Sequence, residues 1–359
     1  MERIILVHLS DIHIGSIRNG FYDPAKPRGG LNGHSPLLLS RLQQAILNIP
    51  IELGMGTEER LNFVVSGDLS CSGLFTEFVM AHSYLRGLLV NDYRASDVVG
   101  LNIPHGCFAT VPGNHDHWNG KSRYPQPAHT KAIFGEDFKQ TPWHMTLRSR
   151  QKNPHLFLDL FGVDSNSGLS HLPDNGTAYG DFSHDELLHP TRGLEHLLIQ
   201  SNRVKGTLDK GVHQVRAIVC HHSLSNHGRP VPPNIPRPSL WNRSLNRVLQ
   251  HFFGMCPDPL DPAAVNALLA LAHQYNVRAV LTGHTHYFWE ERYPAAPAVP
   301  FTWELRIGTA LQGPPANAHQ EFLVHEILLR DNAPTPEWRY RRYTYAKGKF
   351  NPGLWAIAQ

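Results

Sequence analysis

An α/β fold, with a sheet buried on both faces beneath covering helices, is predicted from this sequence by three observations. Five short apolar runs of strand length recur between residues 3 and 286, and runs that are apolar throughout mark strands covered on both sides. Segments with leucines at helical spacing lie between them. Each run gives way at its C-terminal end to aspartate, asparagine or histidine, and that edge of an open α/β sheet is where ligands gather.

The first run, RIILVHL, opens the chain as a strand. SPLLLSRLQQAIL, from Ser35 to Leu47, follows as a helix with Ser35 as its cap. LNFVVSGDLS places a strand at Leu61–Val65 and turns at Gly67 and Asp68. CFATVPGNHD repeats the pattern and ends on Asn114, His115 and Asp116. The stretch from His117 to Phe138 reads as loop, with Gly120 and two prolines early and room for a short helix. SHDELLHPTRGLEHLL is helical near both ends and is interrupted by Pro190 and Gly193. VRAIVCHHS is the fourth strand and ends on His221 and His222.

The prolines between Ser225 and Asn242 predict an irregular, PPII-like excursion. DPAAVNALLALAHQYN is a helix capped by Asp261, begun at Pro262 and ended by Asn276. VRAVLTGHTH is the fifth run, ending on His284 and His286. Beyond residue 287 strands take over: FTWELRIGTAL, EFLVHEILLR and EWRYRRYTY. In the last, Trp338, Tyr340 and Arg342 alternate with Arg339, Arg341 and Tyr343, a period of two that puts each set on one face.

Nothing in the 359 residues resembles a linker between domains. One domain over 1–359 is expected, with loop-rich inserts near 117–150 and 225–260 and a β-rich part at 300–346. The net charge is only +3, so bulk electrostatics nominate no partner. Four scattered cysteines form no C-x-x-C pair. That indicates neither a thiolate zinc site nor a redox motif, and it fits a reducing compartment. No apolar stretch approaches the roughly 20 residues that span a bilayer. The N-terminal run meets His8 and Asp11 too soon for a signal peptide. A cytoplasmic protein without a membrane partner is the expectation.

The residues at the five strand ends form one chemical set: Asp11 and His13; Asp68; Asn114 with His115 and Asp116; His221 with His222; His284 and His286. Asp11 and His13 are two apart, so an extended segment would turn both to one face. Carboxylate, carboxamide oxygen and imidazole suit manganese, iron or zinc rather than a soft metal. The lack of cysteine ligands argues against a structural zinc. Other histidines, such as His34, His82, His189 and His325, have no partner visible in the sequence. D-x-H or G-D alone is a weak signal; five such ends in order along one chain are a strong one.

That order of D-x-H, GD, GNHD, a strand-end histidine and GHTH resembles the calcineurin-like metallophosphoesterases. The resemblance covers Asp11 to His286. It implies a four-layer αββα sandwich, two mixed sheets flanked by helices, with two metal ions in the loops: manganese or iron, with zinc a third choice. It further implies that Asp11, His13 and His286 hold the first metal. Asn114, His221 and His284 would hold the second, Asp68 would bridge, and His115 would be the catalytic acid. Asn114 and His115 would meet the substrate, and His222, where it does not ligate, would face the substrate phosphate or simply pack. At CHHS one of His221 and His222 must ligate, and the first, directly after the strand, is preferred.

Two cations about 3.5–4 Å apart neutralise a phosphoryl group and acidify a bridging water into the nucleophile, and a protonated residue then serves the departing alkoxide. His115, beside Asn114 and free of metal, is the right type and place, and Asp116 is a candidate to orient it. Phosphoprotein phosphatases carry an aspartate where Cys71 stands in GDLSCSG. That departure argues against a protein phosphatase and leaves the support of His115 open. The segment from FLDLFGVDSNSG to IVCHHSL looks like the bacterial class III cyclic-nucleotide phosphodiesterase branch, although Ser223 and Leu224 replace its two prolines.

The expected function is therefore hydrolysis of a phosphodiester, a small-molecule substrate such as a cyclic nucleotide. A second reading keeps the chemistry and makes the substrate DNA or RNA. Its support is the run Arg339, Arg341, Arg342, Lys347 and Lys349 with Trp338, which would track phosphates. A solvated strand is the simpler account of that run. A third reading, a non-catalytic scaffold on the same fold, predicts eroded ligands, and none is eroded here. The sequence leaves the oligomeric state open.

Overall fold

In the computed structural model, described residues are 1–15, 34–71, 73–90, 98–117, 128–135, 139–168, 180–207, 211–225, 260–294, 301–312, 320–331 and 333–358. The proline-rich stretch expected after Ser225 lies outside them, as does most of the loop expected after His117.

The architecture follows from strands that are apolar on both faces. In β1 (Glu2–Leu9), Ile5, Val7 and Leu9 join one core while Ile4 and Leu6 join another, the period of two expected of a strand. β2 (Leu61–Val65) and β5 (Phe108–Thr110) lie parallel on one side of β1. Antiparallel β12 (Glu321–Leu329), β13 (Glu337–Ala346) and β14 (Lys349–Ile357) follow on the other. The order of this six-stranded sheet is β14-β13-β12-β1-β2-β5. β3 (Leu89–Val90) and β4 (Val98–Val99) form a small hairpin apart from it.

The second sheet has parallel β7 (Leu156–Gly162), β8 (His213–Val219), β9 (Ala279–Thr282) and β11 (Thr302–Arg306). Antiparallel β6 (Trp143–Arg148) and β10 (Trp289–Tyr293) form its edges, in the order β10-β11-β9-β8-β7-β6.

The helices cover the outer faces. α1 (Pro36–Glu52) and α2 (Phe75–Leu85) pack Leu39, Leu42, Ile46 and Phe78 into the core outside the first sheet. α3 (Ala128–Phe134) adds Phe134 there. α5 (Leu194–Thr207) and α6 (Pro262–Gln274) pack Leu198, Leu268 and Leu271 outside the second, preceded by short α4 (His184–Leu188). Between the sheets lies a third core with Leu6, Val64, Leu160, Ala217, Leu281 and Trp338. Helix, sheet, sheet and helix stack in four layers, the expected α/β sandwich with two mixed sheets.

Several expectations need correction. α1 runs five residues past Leu47, through Pro50, and Ser35 caps it with no side-chain hydrogen bond. The stretch near 117–150, expected to be loop-rich, also supplies the edge strand β6. Strands continue past residue 346 as β14. The period of two in β13 holds: Trp338 and Tyr340 face the core between the sheets, where Arg342 lies over the Phe288 ring, and Tyr343 faces the outer core. The register with β14 shifts between Arg341 and Tyr343, with the extra residue in β14.

The capping expectation for Asp261 holds: it accepts the Ala263 amide at 2.7 Å. Ser183 caps α4 in the same way, accepting the Glu186 amide at 3.0 Å.

Candidate metal centre

The C-terminal ends of β1, β2, β5, β8 and β9 meet at one edge of the sandwich, three from one sheet and two from the other. The loop after β1 lies along the loop after β2: the Asp11 amide donates to Gly67 O at 3.1 Å, His13 to Asp68 O at 3.0 Å and Ile14 to Leu69 O at 3.0 Å. These loops are not extended. Asp11, His13, Asp68, His284 and His286 have φ between 44° and 69°, the left-handed region that costs non-glycine residues energy. The expectation that Asp11 and His13 share a face through extended backbone is therefore wrong in mechanism. They converge through two left-handed turns, with His13 Nε2 3.8 Å from Asp11 Oδ1.

Asp68 is central. Its Oδ2 lies 3.4 Å from His221 Nε2, 3.6 Å from His13 Nε2 and 4.0 Å from His115 Nε2. Its Oδ1 accepts the His115 amide at 2.9 Å. Asp11 Oδ1 faces His286 Nε2 at 3.2 Å, while its Oδ2 accepts the His284 amide at 2.9 Å. On the other side of Asp68, His221 Nε2 lies 3.0 Å from both Asn114 Oδ1 and His284 Nδ1. All seven candidate ligands are thus brought together from both sheets. Asp11, His13 and His286 form one group able to hold an ion; Asp11, Asp68 and His221 form another; His13, Asp68 and His115 form a third.

Close packing of backbone makes this possible. At Gly113 an added Cβ would stand 2.0 Å from Asp68 Oδ1 and 2.4 Å from its amide nitrogen. At Gly67, φ is 97° and a Cβ would meet the His221 ring at 2.4 Å. Glycine is required where ligand loops touch.

The electrostatics of the cluster keep both carboxylates charged. Burial alone would lower the pKa of His221, but Asp68 and Asp11 beside it raise it to about 9. Burial would raise Asp11 and Asp68, yet the neighbouring histidines, His286 for Asp11 and His221 for Asp68, hold both below the usual carboxylate range. Burial pushes His13 and His284 down to about 3. His221 Nδ1 donates to Ser66 O at 2.8 Å, which turns Nε2 to the acceptors Asn114 and Asp68. Among the described residues, both His13 nitrogens are buried without a hydrogen-bond partner, a state that carries a penalty unless something compensates. A convergent set of buried N and O donor atoms fits metal ions.

His115 and Asp116 divide differently from the expectation. His115 Nδ1 donates to the main-chain carbonyl of Cys71 at 2.7 Å. The support left open by the missing aspartate therefore comes from Cys71 backbone. Burial lowers the pKa of His115, against the pull of Asp68 and of that carbonyl. Asp116 does not orient His115 by any hydrogen bond seen here. It accepts from the amides of Leu69, Ser70 and Gly113 at 3.2, 2.9 and 2.9 Å and from Ser70 Oγ at 2.9 Å. Burial and Asp68 raise it to about 6 despite those donors.

His222 lies against the cluster, its ring centre 4.2 Å from that of His284, and its Nδ1 is 2.8 Å from Ser165 Oγ. The sequence reading missed a polar group at the end of β7. Asp164 faces His117 Nε2 at 3.1 Å, Ser165 meets His222, and the Asn166 amide donates to Asp164 at 2.8 Å. The signal was present, because LFLDLFG followed by VDSNS is a sixth apolar run ending in polar residues.

The sequence pattern described as "Calcineurin-like phosphoesterase" matches residues 4–288. No curated protein matches the chain. Among solved structures it is similar to GAP50, the anchor in the inner membrane complex of Plasmodium, at 13% identity, with 99% of this chain and 90% of that one covered and a TM-score of 0.49. It is similar to a purple acid phosphatase from yellow lupin seeds at 10% identity, covering 97% of this chain and 52% of that one, TM-score 0.45. It is also similar to zinc-complexed Vps29 from Entamoeba histolytica at 11% identity, covering 99% and 100%, TM-score 0.33.

Proposed function

The chain belongs to the calcineurin-like phosphoesterase family, and we propose that it hydrolyses a small phosphodiester, a cyclic nucleotide being the first candidate, as in the family's class III cyclic-nucleotide branch. One observation carries the reading: the Asp68 carboxylate lies between His13 and His221, from different sheets, with His115 beside it. A carboxylate shared in this way suits two ions. Asp11, His13 and His286 would hold the first, Asn114, His221 and His284 the second. Manganese or iron, or else zinc, is the metal that this donor set suits. Such ions, when bound, supply the positive charge that neutralises a phosphoryl group and acidifies a water.

The chain's own residues do the rest. Cys71 O holds the Nδ1 proton of His115, so a second proton, when taken up, resides on Nε2. Nε2 lies on the Asp68 side, where the carboxylate pulls toward the imidazolium against the effect of burial and where a proton can pass to the departing alkoxide. Asn114 is a neighbour of both the substrate and His221.

A small substrate is favoured over nucleic acid by what has become of the basic run. Arg339 pairs with Glu326, Arg342 pairs with Glu321, and Arg339 and Arg341 each stack 4.5 Å from the Trp355 ring centre. Trp338 is buried. Arginines occupied in this way offer less to a phosphate track. Complete ligands favour an enzyme over a scaffold. Among the described residues, the buried cysteines Cys71, Cys107 and Cys220 form no disulfide, which suits a reducing compartment, and the cytoplasm is proposed.

The test is a panel of cyclic nucleotides, phosphomonoesters, model diesters and single-stranded DNA, each with added manganese. Turnover of diesters, strongest on a cyclic nucleotide, is expected. Salt-sensitive cleavage of DNA alone would favour the nuclease reading, and metal uptake without turnover of any ester would favour the scaffold.

A further inference from the structure

Beside the ligand cluster stands an imidazole whose hydrogen bonding is half complete. His222 is wholly buried, with its ring centre 4.2 Å from that of His284 and 5.1 Å from that of His221. Gly180 abuts the near end of the ring, where an added Cβ would come within 2.5 Å of Cγ. The far end, with Nε2, therefore points away from Gly180. Ser165 Oγ accepts the His222 main-chain N–H at 3.1 Å and lies 2.8 Å from Nδ1. Among the described residues, Nε2 has no hydrogen-bond partner.

The proton positions follow from counting. Were Nδ1 protonated, it and the main-chain N–H would both donate to Ser165 Oγ. The serine proton would then have no acceptor among the bonds it makes here, and Nε2 would be an orphaned acceptor. With the serine donating to Nδ1, one orphan remains, an N–H on Nε2. The second arrangement leaves less unsatisfied. It also presents, beside two candidate ligands, a buried donor fixed in place before any anion arrives. Such a donor needs no reorganisation during reaction.

We propose that Ser165 locks His222 as the Nε2–H tautomer, and that this N–H donates to a non-bridging oxygen of the bound phosphoryl group. Ser165 is then a positioning residue for the reaction. The inference rests on the phosphoesterase reading and adds to it a recognition pair drawn from the ends of β7 and β8. A glutamine amide can place an N–H near the position of Nε2, whereas an asparagine amide reaches only as far as Nδ1. The side-chain swaps therefore separate the two nitrogens.

The experiment uses the full-length, zinc-loaded protein and inorganic phosphate as probe, with metal content measured alongside. S165A is expected to keep its metal and bind phosphate about 10-fold more weakly, the scale for losing a hydrogen bond to a charged group. H222N should lose about as much and H222Q only a few-fold. S165A added to H222Q should cost nothing further, because an amide has no tautomer to set. A merely structural serine would weaken both backgrounds alike, and that result overturns the proposal. Nitrogen NMR of the unsubstituted protein, with the His222 signal assigned by its loss in H222Q, reads the tautomer without reliance on the variants. A proton on Nδ1 overturns the proposal. Metal uptake and diester turnover with phosphate binding unchanged in S165A would sink this inference alone; a protein that takes up no metal sinks the reading beneath it.

Discussion

At the scale of single residues, the histidines divide by what their second nitrogen touches. His221 and His115 both give Nδ1–H to main-chain carbonyls, of Ser66 and Cys71, which leaves Nε2 for chemistry. Because His115 is a proton donor and not a ligand in this reading, H115A is expected to retain metal while turnover falls by about 10²–10⁴-fold. A nitrophenyl ester, whose leaving group needs no proton, should recover much of that loss. Metal stripped by H115A would instead support the ion group that includes His115. A different pair, His8 and His325, lies buried between β1 and β12 with ring centres 5.6 Å apart. Trp338 Nε1 donates to His325, and His8 meets Ser66 Oγ. Burial holds His8 at about 3 and His325 well below its ordinary value. The unfolded chain protonates both near pH 6.5 and the folded chain does not, so stability is lost as pH falls below about 6.5. The loss is about 1.4 kcal/mol per pH unit for each histidine, and for His8 it runs down to about pH 3. Urea unfolding of metal-free protein between pH 7 and pH 5 should show this, and H325Q should make the dependence shallower by about one proton.

At the scale of elements, the loops after β2 and β5 act as one piece. Asp116 gathers three amides and a hydroxyl from them, and Gly113 lets them touch at Asp68. Removing the acceptor in D116A leaves several buried donors unsatisfied at about 1–3 kcal/mol each before relaxation. The expected outcome is a lower melting temperature together with weaker metal binding, read by calorimetry and metal titration. G113A should do the same through steric conflict with the Asp68 main chain, and normal metal affinity in both variants would refute the coupling. β13 shows what pattern reading captures at this scale: its alternation sets Trp338 and Tyr340 toward one core and Tyr343 toward the other. The irregularity of that edge lies in β14, where the register shifts, and no window on β13 contains it.

For the whole molecule, the candidate site joins two sheets. Asp11, His13, Asp68 and Asn114 follow strands of the first, and His221, His284 and His286 follow strands of the second. Ions held by both would tie the layers together and stabilise the folded chain by mass action. The gain is about 2.7 kcal/mol for an ion at one hundred times its Kd. Chelation followed by dialysis should therefore lower the melting temperature, and manganese should restore it. D68A should abolish most of that metal-dependent gain, because one carboxylate serves both groups. A melting temperature indifferent to chelator would count against a site spanning the sheets.

Much of this was legible in the amino-acid sequence. Apolar runs long enough for a strand, each closed by Asp, Asn or His, disclosed the layered α/β class and the seven convergent side chains. Burial on both faces and ligation are demands on residue type, and residue type is what a sequence records. Three-dimensional packing alone decided the rest. It turned Asp11 and His13 inward through left-handed backbone, gave His115 a carbonyl in place of a carboxylate, and set Asp116 to tie loops together. It also brought Ser165 from the end of β7 to His222. Each of these depends on which main-chain atom of a distant segment comes within 3 Å or so. A carbonyl is common to every residue, so composition and spacing carry no mark of where it will point.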